Sequence, residues 1–115
     1  MKIKTSELTG AALDRAVCEA TGLLAAYPRV RKDFALQWPS TGNQHLHPST
    51  DWAQGGPIIE RENIALYPHG DGTYEAEVFL NPKRGVGPTP LIAAMRCYVA
   101  SKLGDEVEIP EELAP

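Results

Sequence analysis

Cysteine is nearly absent from this chain. Cys18 and Cys97 are the only two, and neither stands in a CxxC or Cys/His spacing that would hold zinc. Each sits in an apolar helical pattern, which points to two buried free thiols. Basic residues are the scarcer charge, 11 against 15 acidic, for a net charge of −4. That balance argues against nucleic acid as partner, since displacing counterions from phosphates takes clustered Lys and Arg. No uncharged run approaches the ~20 residues of a membrane span, and no charged segment followed by an apolar one opens the chain, so a reducing cytoplasm is expected. Walker loops, GxGxxG fingerprints and Ser/His/Asp patterns are missing too, and Gly70-Asp-Gly72 is accounted for as turn chemistry.

What is present fits one domain over residues 1–115, long enough for a single hydrophobic core. Hydrophobic residues make up 43%, and the 10 Pro and 10 Gly imply long connections rather than disorder. The best-defined element is Thr89-Pro-Leu-Ile-Ala-Ala-Met-Arg-Cys-Tyr-Val-Ala-Ser-Lys-Leu-Gly104. Thr89 suits the N-cap, Pro90 the first helical position, and Gly104 the left-handed stop, with Lys102 near the last carbonyls. Leu91, Ile92, Met95, Val99 and Leu103 form a bulky stripe, while Ala93, Cys97 and Ala100 form a small one roughly opposite. A helix apolar on two sides is covered on two sides, so this one is expected to be the core element.

Upstream, residues 8–22 read as a helix N-capped by Thr9 and stopped at Gly22, with Leu13, Ala16, Val17 and Ala20 inward and Asp14, Arg15 and Glu19 toward water. Its alanines are matched to the Ala/Cys stripe of the later helix. Residues 23–48 form an irregular connection broken by Pro28 and Pro39, in which Phe34–Trp38 is a candidate strand. In Pro48-Ser-Thr-Asp-Trp-Ala-Gln-Gly-Gly-Pro57, Ser49 or Thr50 caps a short turn with Asp51 near its positive end, and Gly56-Pro57 starts another. Ile64–Pro68 and Thr73–Leu80 flank a turn and predict a hairpin, with Tyr74, Ala76, Val78 and Leu80 on its inner face and Thr73, Glu75, Glu77 and Phe79 outside. Pro68 belongs at a strand end or edge. Residues 81–88 read as a loop. Residues 105–115 read as an acidic tail in which Val107 and Ile109 can add a short strand, and Met1–Lys4 is a second short candidate. A third strand for the hairpin is expected from Phe34–Trp38 or from a chain end.

For chemistry, His45 and His47 alternate as strand ligands would, but two ligands do not make a metal site. Cys97 lacks the electropositive, exposed setting of a nucleophile. Glu75 and Glu77 serve best to keep an outer face polar. Gly55 and Gly56 admit close backbone approach, either of a packed neighbour or of a ligand in a pocket with Asp51 and Trp52. Arg96, bordering an apolar helix, either reaches water, pairs with Asp51 or Glu60, or meets a ligand anion. The large Trp52 in a short capped turn needs a loop over it to complete its burial, and residues 37–48 are the candidate cover.

The opening Met1-Lys-Ile-Lys-Thr-Ser-Glu-Leu-Thr-Gly-Ala-Ala-Leu-Asp14, the segment from Pro48 through Ile59 to Glu60, and the run from Gly87 through the last helix to Pro110 resemble the NinX family. These are small bacteriophage and prophage proteins to which no function is assigned. The resemblance does not extend over residues 23–46. It implies a phage accessory protein working in the bacterial host cytoplasm, and it brings no catalytic residue. The last segment also resembles small phage sandwich domains, which implies a sheet between helices.

The expectation is therefore an α+β, sandwich-like fold with a small antiparallel sheet centred on the hairpin of residues 64–80. The expected role is non-catalytic binding of a host or phage protein through Asp51, Trp52, Gly55, Gly56 and Arg96, with no cofactor or metal. The alternative is a small-molecule enzyme with a pocket near Asp51, Trp52 and Arg96.

Overall fold

A computed structural model describes residues 1–22 and 47–113. The candidate strand Phe34–Trp38 and most of the candidate cover lie outside these residues. The described chain is α+β: β1 (Lys2–Lys4), a 3-10 turn (Thr5–Glu7), α1 (Gly10–Ala20), α2 (Trp52–Glu62), β2 (Ile64–Pro68), β3 (Tyr74–Val78), β4 (Arg84–Gly87), α3 (Pro90–Leu103) and β5 (Glu106–Glu108). Strands β2, β3 and β4 form one antiparallel sheet in that order, and β1 and β5 pair antiparallel in a second, with Ile3 opposite Val107.

The core helix α3 begins and ends as its sequence dictates. Thr89 Oγ1 accepts from the Ile92 N–H at 3.1 Å, Pro90 holds the first helical position, and Gly104 leaves the helix at φ 91. Its side chains are buried around most of its circumference, including Leu91, Ala93, Met95, Cys97, Tyr98 and Val99. Among the described residues the sheet covers one side of this helix and α1 another, so the helix lies between them. Helix α2 is fastened to α3 by polar contacts. Lys102 Nζ lies 3.2 Å from Glu62 Oε1, Arg61 Nε lies 3.1 Å from the other Glu62 oxygen, and Arg61 Nη2 reaches the Tyr98 hydroxyl at 3.5 Å.

The small stripe of α3 meets β4. A Cβ on Gly85 would strike the Ala93 carbonyl and the Cys97 amide, and one on Gly87 would fall 2.9 Å from the Ala93 nitrogen and from Ile92 Cγ2. The neighbour at Ala93 and Cys97 is thus the strand rather than the alanines of α1. Among the described residues strand β4 is the hairpin's third strand, with Gly85 opposite Ala76 and Gly87 opposite Tyr74, while the two chain ends pair with each other. Its two glycines read as turn-formers in sequence, but they are there because only backbone fits between sheet and helix.

The hairpin pairs Ile64 with Val78 and Pro68 with Tyr74, and Pro68 stands at the end of its strand as expected. Its second strand stops at Val78. Leu80 adopts a left-handed φ of 60 and is 89% exposed, so it leaves the inner face because the chain must reverse there to bring β4 alongside. On the outer face Arg84 Nη2 lies 2.9 Å from Glu77, Tyr67 donates to Glu77 at 2.8 Å, and His69 meets Glu75 at 2.8 Å. Glu75 and Glu77 are held in surface pairs as expected of a polar face. The chain start is tied to the end of α3 by the Thr5 hydroxyl, which donates to the Gly104 carbonyl at 2.7 Å. The acidic tail is less solvated than its charge implied, because Val107 and Ile109 are buried.

Helix α1 follows Thr9 and stops before Gly22, whose φ is 81. Asp14, expected to face water, is buried, and its carboxylate accepts from the Ser49 N–H at 2.9 Å. Burial raises its pKa, while the bond from Ser49 and the nearby His47 pull it down by less. A carboxyl whose folded pKa exceeds its unfolded value binds its proton more tightly in the native state. Its ionisation therefore weakens folding as pH rises through the folded value. Glu62 runs the other way: burial raises its pKa, but the bonds from Arg61 and Lys102 outweigh burial and lower it overall. Asp14→Asn keeps an acceptor for Ser49 and removes the charge. Its urea midpoint relative to wild type is expected to improve as pH rises above the ordinary carboxylate range. A pH-independent offset would show that Asp14 is not held in an unfavourable charged state.

Candidate functional site

The segment expected to carry function is one continuous helix preceded by a turn, rather than two short turns. The Thr50 and Asp51 amides both donate to the His47 carbonyl, at 3.1 and 3.0 Å. Asp51, not Ser49 or Thr50, is the N-cap of α2, its Oδ1 accepting from the Ala53 N–H at 2.9 Å and its Oδ2 lying 3.7 Å from His47 Nε2. Pro57 sits inside the helix. A proline there removes one backbone donor, which is why the sequence reads as a restart.

The two adjacent glycines differ in role. A Cβ on Gly55 would strike the Pro48 carbonyl and fall 2.6 Å from Leu91 Cδ1, so Gly55 is required by packing of the preceding turn and α3. A Cβ on Gly56 would meet nothing nearer than Trp52 Cε3 at 4.0 Å. Identical substitutions are thus expected to act in opposite directions. Gly56→Ala should stabilise by about 0.5–1 kcal/mol through a stiffer unfolded chain and better helix propensity. Gly55→Ala should cost about 1–3 kcal/mol through overpacking. Urea unfolding of the two variants checks both signs.

Trp52, in the first turn of α2, is 53% exposed. It borders a depression of about 190 Å³ shared with Ser49, Thr50, Thr89, Leu91 and Ile92, where the starts of α2 and α3 converge. Sequence reasoning missed Thr89 and Ile92 as part of this surface. Their helical positions were legible, but not the approach of α2.

Arg96 lies in a separate depression. Its Nε donates to the Leu8 carbonyl and its Nη1 to the Val86 carbonyl, both at 2.8 Å, in place of the expected pairing with Asp51 or Glu60. Burial alone pulls its pKa below the ordinary value, and the guanidinium stays charged. The groove around it holds about 310 Å³ between Lys4, Thr5 and Ser6 on one side and Arg84, Gly85 and Val86 on the other, with Ala100 and the Asp105–Glu106 stretch completing it. Ile92, Arg96 and Ala100 recur every four residues. The two depressions therefore follow one another along a single stripe of α3.

The remaining candidates are quiet. His45 is outside the described residues, and among those residues no group of three metal-ligating side chains occurs. Both cysteines are buried and free. Burial, with the Asp14 charge second, pushes the Cys18 thiol up to about 12, and burial raises Cys97 as well, opposite to what a nucleophile needs. Among the described residues no helix is long and apolar enough to cross a membrane.

A family model described as "Bacteriophage P22, NinX" matches residues 4–102. The chain belongs to this family. The match runs from the end of β1 to the last turn of α3 and includes residues 23–46, where the opening resemblance was silent. It holds the Trp52 surface and Arg96, and it stops short of β5. No curated protein matches the chain. NinX membership makes this a phage accessory protein and assigns no reaction to it.

Proposed function

We propose that this phage protein acts by binding a host or phage protein in the bacterial cytoplasm, without chemistry of its own, and that the Trp52 surface carries the contact. The supporting observation is the exposure of Trp52. A half-exposed indole beside a depression of about 190 Å³ offers a large, rigid anchor at low entropic cost, as interface hot spots do. That volume is below the ~300–1,000 Å³ usual for small-molecule sites. The polar groups around it are hydroxyls and a cap: Thr89 holds the Ile92 amide and Asp51 holds the Ala53 amide. Gly55 supports the surface from below, and Gly56 leaves the indole uncovered.

The enzyme alternative requires Asp51, Trp52 and Arg96 to converge on one substrate, whereas Arg96 lines a different depression. Turnover lost in Asp51→Ala but kept in Glu75→Ala would favour it. The binding reading is tested with a partner captured from infected cells, purified, and titrated against wild type and Trp52→Ala. The expected loss is at least ~30-fold in affinity, the scale of one hot-spot residue. Equal affinity for both proteins would remove Trp52 from the contact.

A further inference from the structure

We infer that the groove over Arg96 takes an extended peptide strand carrying one carboxylate, added at the edge of β4 that no strand of the described residues occupies. In the sheet order β2-β3-β4 of the described residues, strand β4 pairs with β3 on one side, and among those residues no strand pairs with its other side. The groove runs along that strand at Arg84, Gly85 and Val86, with the Lys4–Ser6 stretch as its far wall. Arg96 lines the groove and joins its two sides, donating to the carbonyl of buried Leu8, two residues beyond the Lys4–Ser6 stretch, and to that of Val86 in β4. An arginine has five N–H donors in a planar fork, so these two bonds leave the Nη2 edge to meet an acceptor in the groove.

Charge chooses the acceptor. Arg84 is paired with Glu77, Asp105 with Lys83 at 3.0 Å, and Lys4 stands opposite Glu106 in the β1–β5 register. Among the described residues no ion pair neutralises Arg96, and burial is the single cause lowering its pKa. One cation is therefore left over, which suits a single carboxylate. A phosphate dianion would meet Asp105 and Glu106 as well. Strand geometry chooses the carrier. Four residues of β4 present ~13 Å of edge, enough for a short strand to add by backbone hydrogen bonds while a side chain of that strand reaches Arg96. Val86, half-exposed beside this edge, supplies an apolar contact for an alternate side chain.

This site stands apart from the Trp52 surface, and its test uses no partner protein, so either reading can fail alone. The full chain, ¹⁵N-labelled, is titrated with a blocked five-residue peptide having a central glutamate between valines. Three comparisons accompany it: the glutamine counterpart, a version N-methylated at alternate amides, and glutarate. The glutamate peptide is expected to give saturable shifts at the Arg84 and Val86 amides and the Arg96 Nε–H. Each comparison should bind at least about tenfold more weakly, the loss expected for one charge-assisted hydrogen bond or for a broken strand ladder. Equal binding of glutamate and glutamine peptides would overturn the role of Arg96. Glutarate or the N-methylated peptide matching the glutamate peptide would overturn strand addition, as would the absence of saturable shifts at millimolar peptide.

Discussion

Gly85→Ala is expected to lower stability by about 3 kcal/mol or more, at the upper end of what overpacking a core costs. The added methyl would strike the Ala93 carbonyl and the Cys97 amide and fall 2.8 Å from Cys97 Cβ. Two of these three obstacles are helix backbone, so no side chain can rotate away, and the strand must separate from α3. Against the ~5–15 kcal/mol of an ordinary domain that loss is severe. Val86→Ala, next in sequence but on the half-exposed face, should fall within about 0.5 kcal/mol of wild type. Urea unfolding compares the two, and soluble yield substitutes if Gly85→Ala does not fold. A Gly85→Ala protein as stable as wild type would mean that β4 does not lie against Ala93 and Cys97.

Arg96→Met is the second large effect. Methionine keeps much of the aliphatic stem but none of the donors, leaving the Leu8 and Val86 carbonyls without their 2.8 Å partners. Hydrogen bonds from a charged group contribute about 1.5–3 kcal/mol each, and the Val86 carbonyl is open to water, so the expected total is about 2–3 kcal/mol. Arg96→Lys should lose an intermediate amount, because one ammonium cannot reach two walls with the geometry of a fork. A loss below about 0.5 kcal/mol in Arg96→Met would show that the guanidinium does not join the walls.

Helix α3 was legible because its signals are local: a capping threonine, a proline at the first helical position, a terminal glycine and apolar residues on two stripes. The β2–β3 hairpin was legible by alternation. Strand β4 was not, since Arg84-Gly-Val-Gly87 has one β-branched residue, and the requirement for glycine comes from a helix that packs onto it. The same holds for Asp14, whose place on α1 looked solvent-facing until the Ser49 amide, 35 residues away, came to meet it. Helix α2 was hidden by Pro57, which ordinarily marks a start. In the candidate site, Asp51 and Trp52 are singled out in the sequence by their turn chemistry, and of the two readings of Gly55 the close contact with Pro48 and Leu91 favours packing. The position of Arg96 was missed because its partners are main-chain carbonyls, which leave no trace in residue identity.

The central claim is that Trp52 belongs to the surface and serves contact rather than folding, and the unfolding free energy of Trp52→Ala tests it most directly. With the indole 53% exposed, truncation is expected to cost no more than about 1 kcal/mol. A loss of about 3–5 kcal/mol, the cost of truncating an enclosed tryptophan, would make Trp52 a core residue and contradict the account.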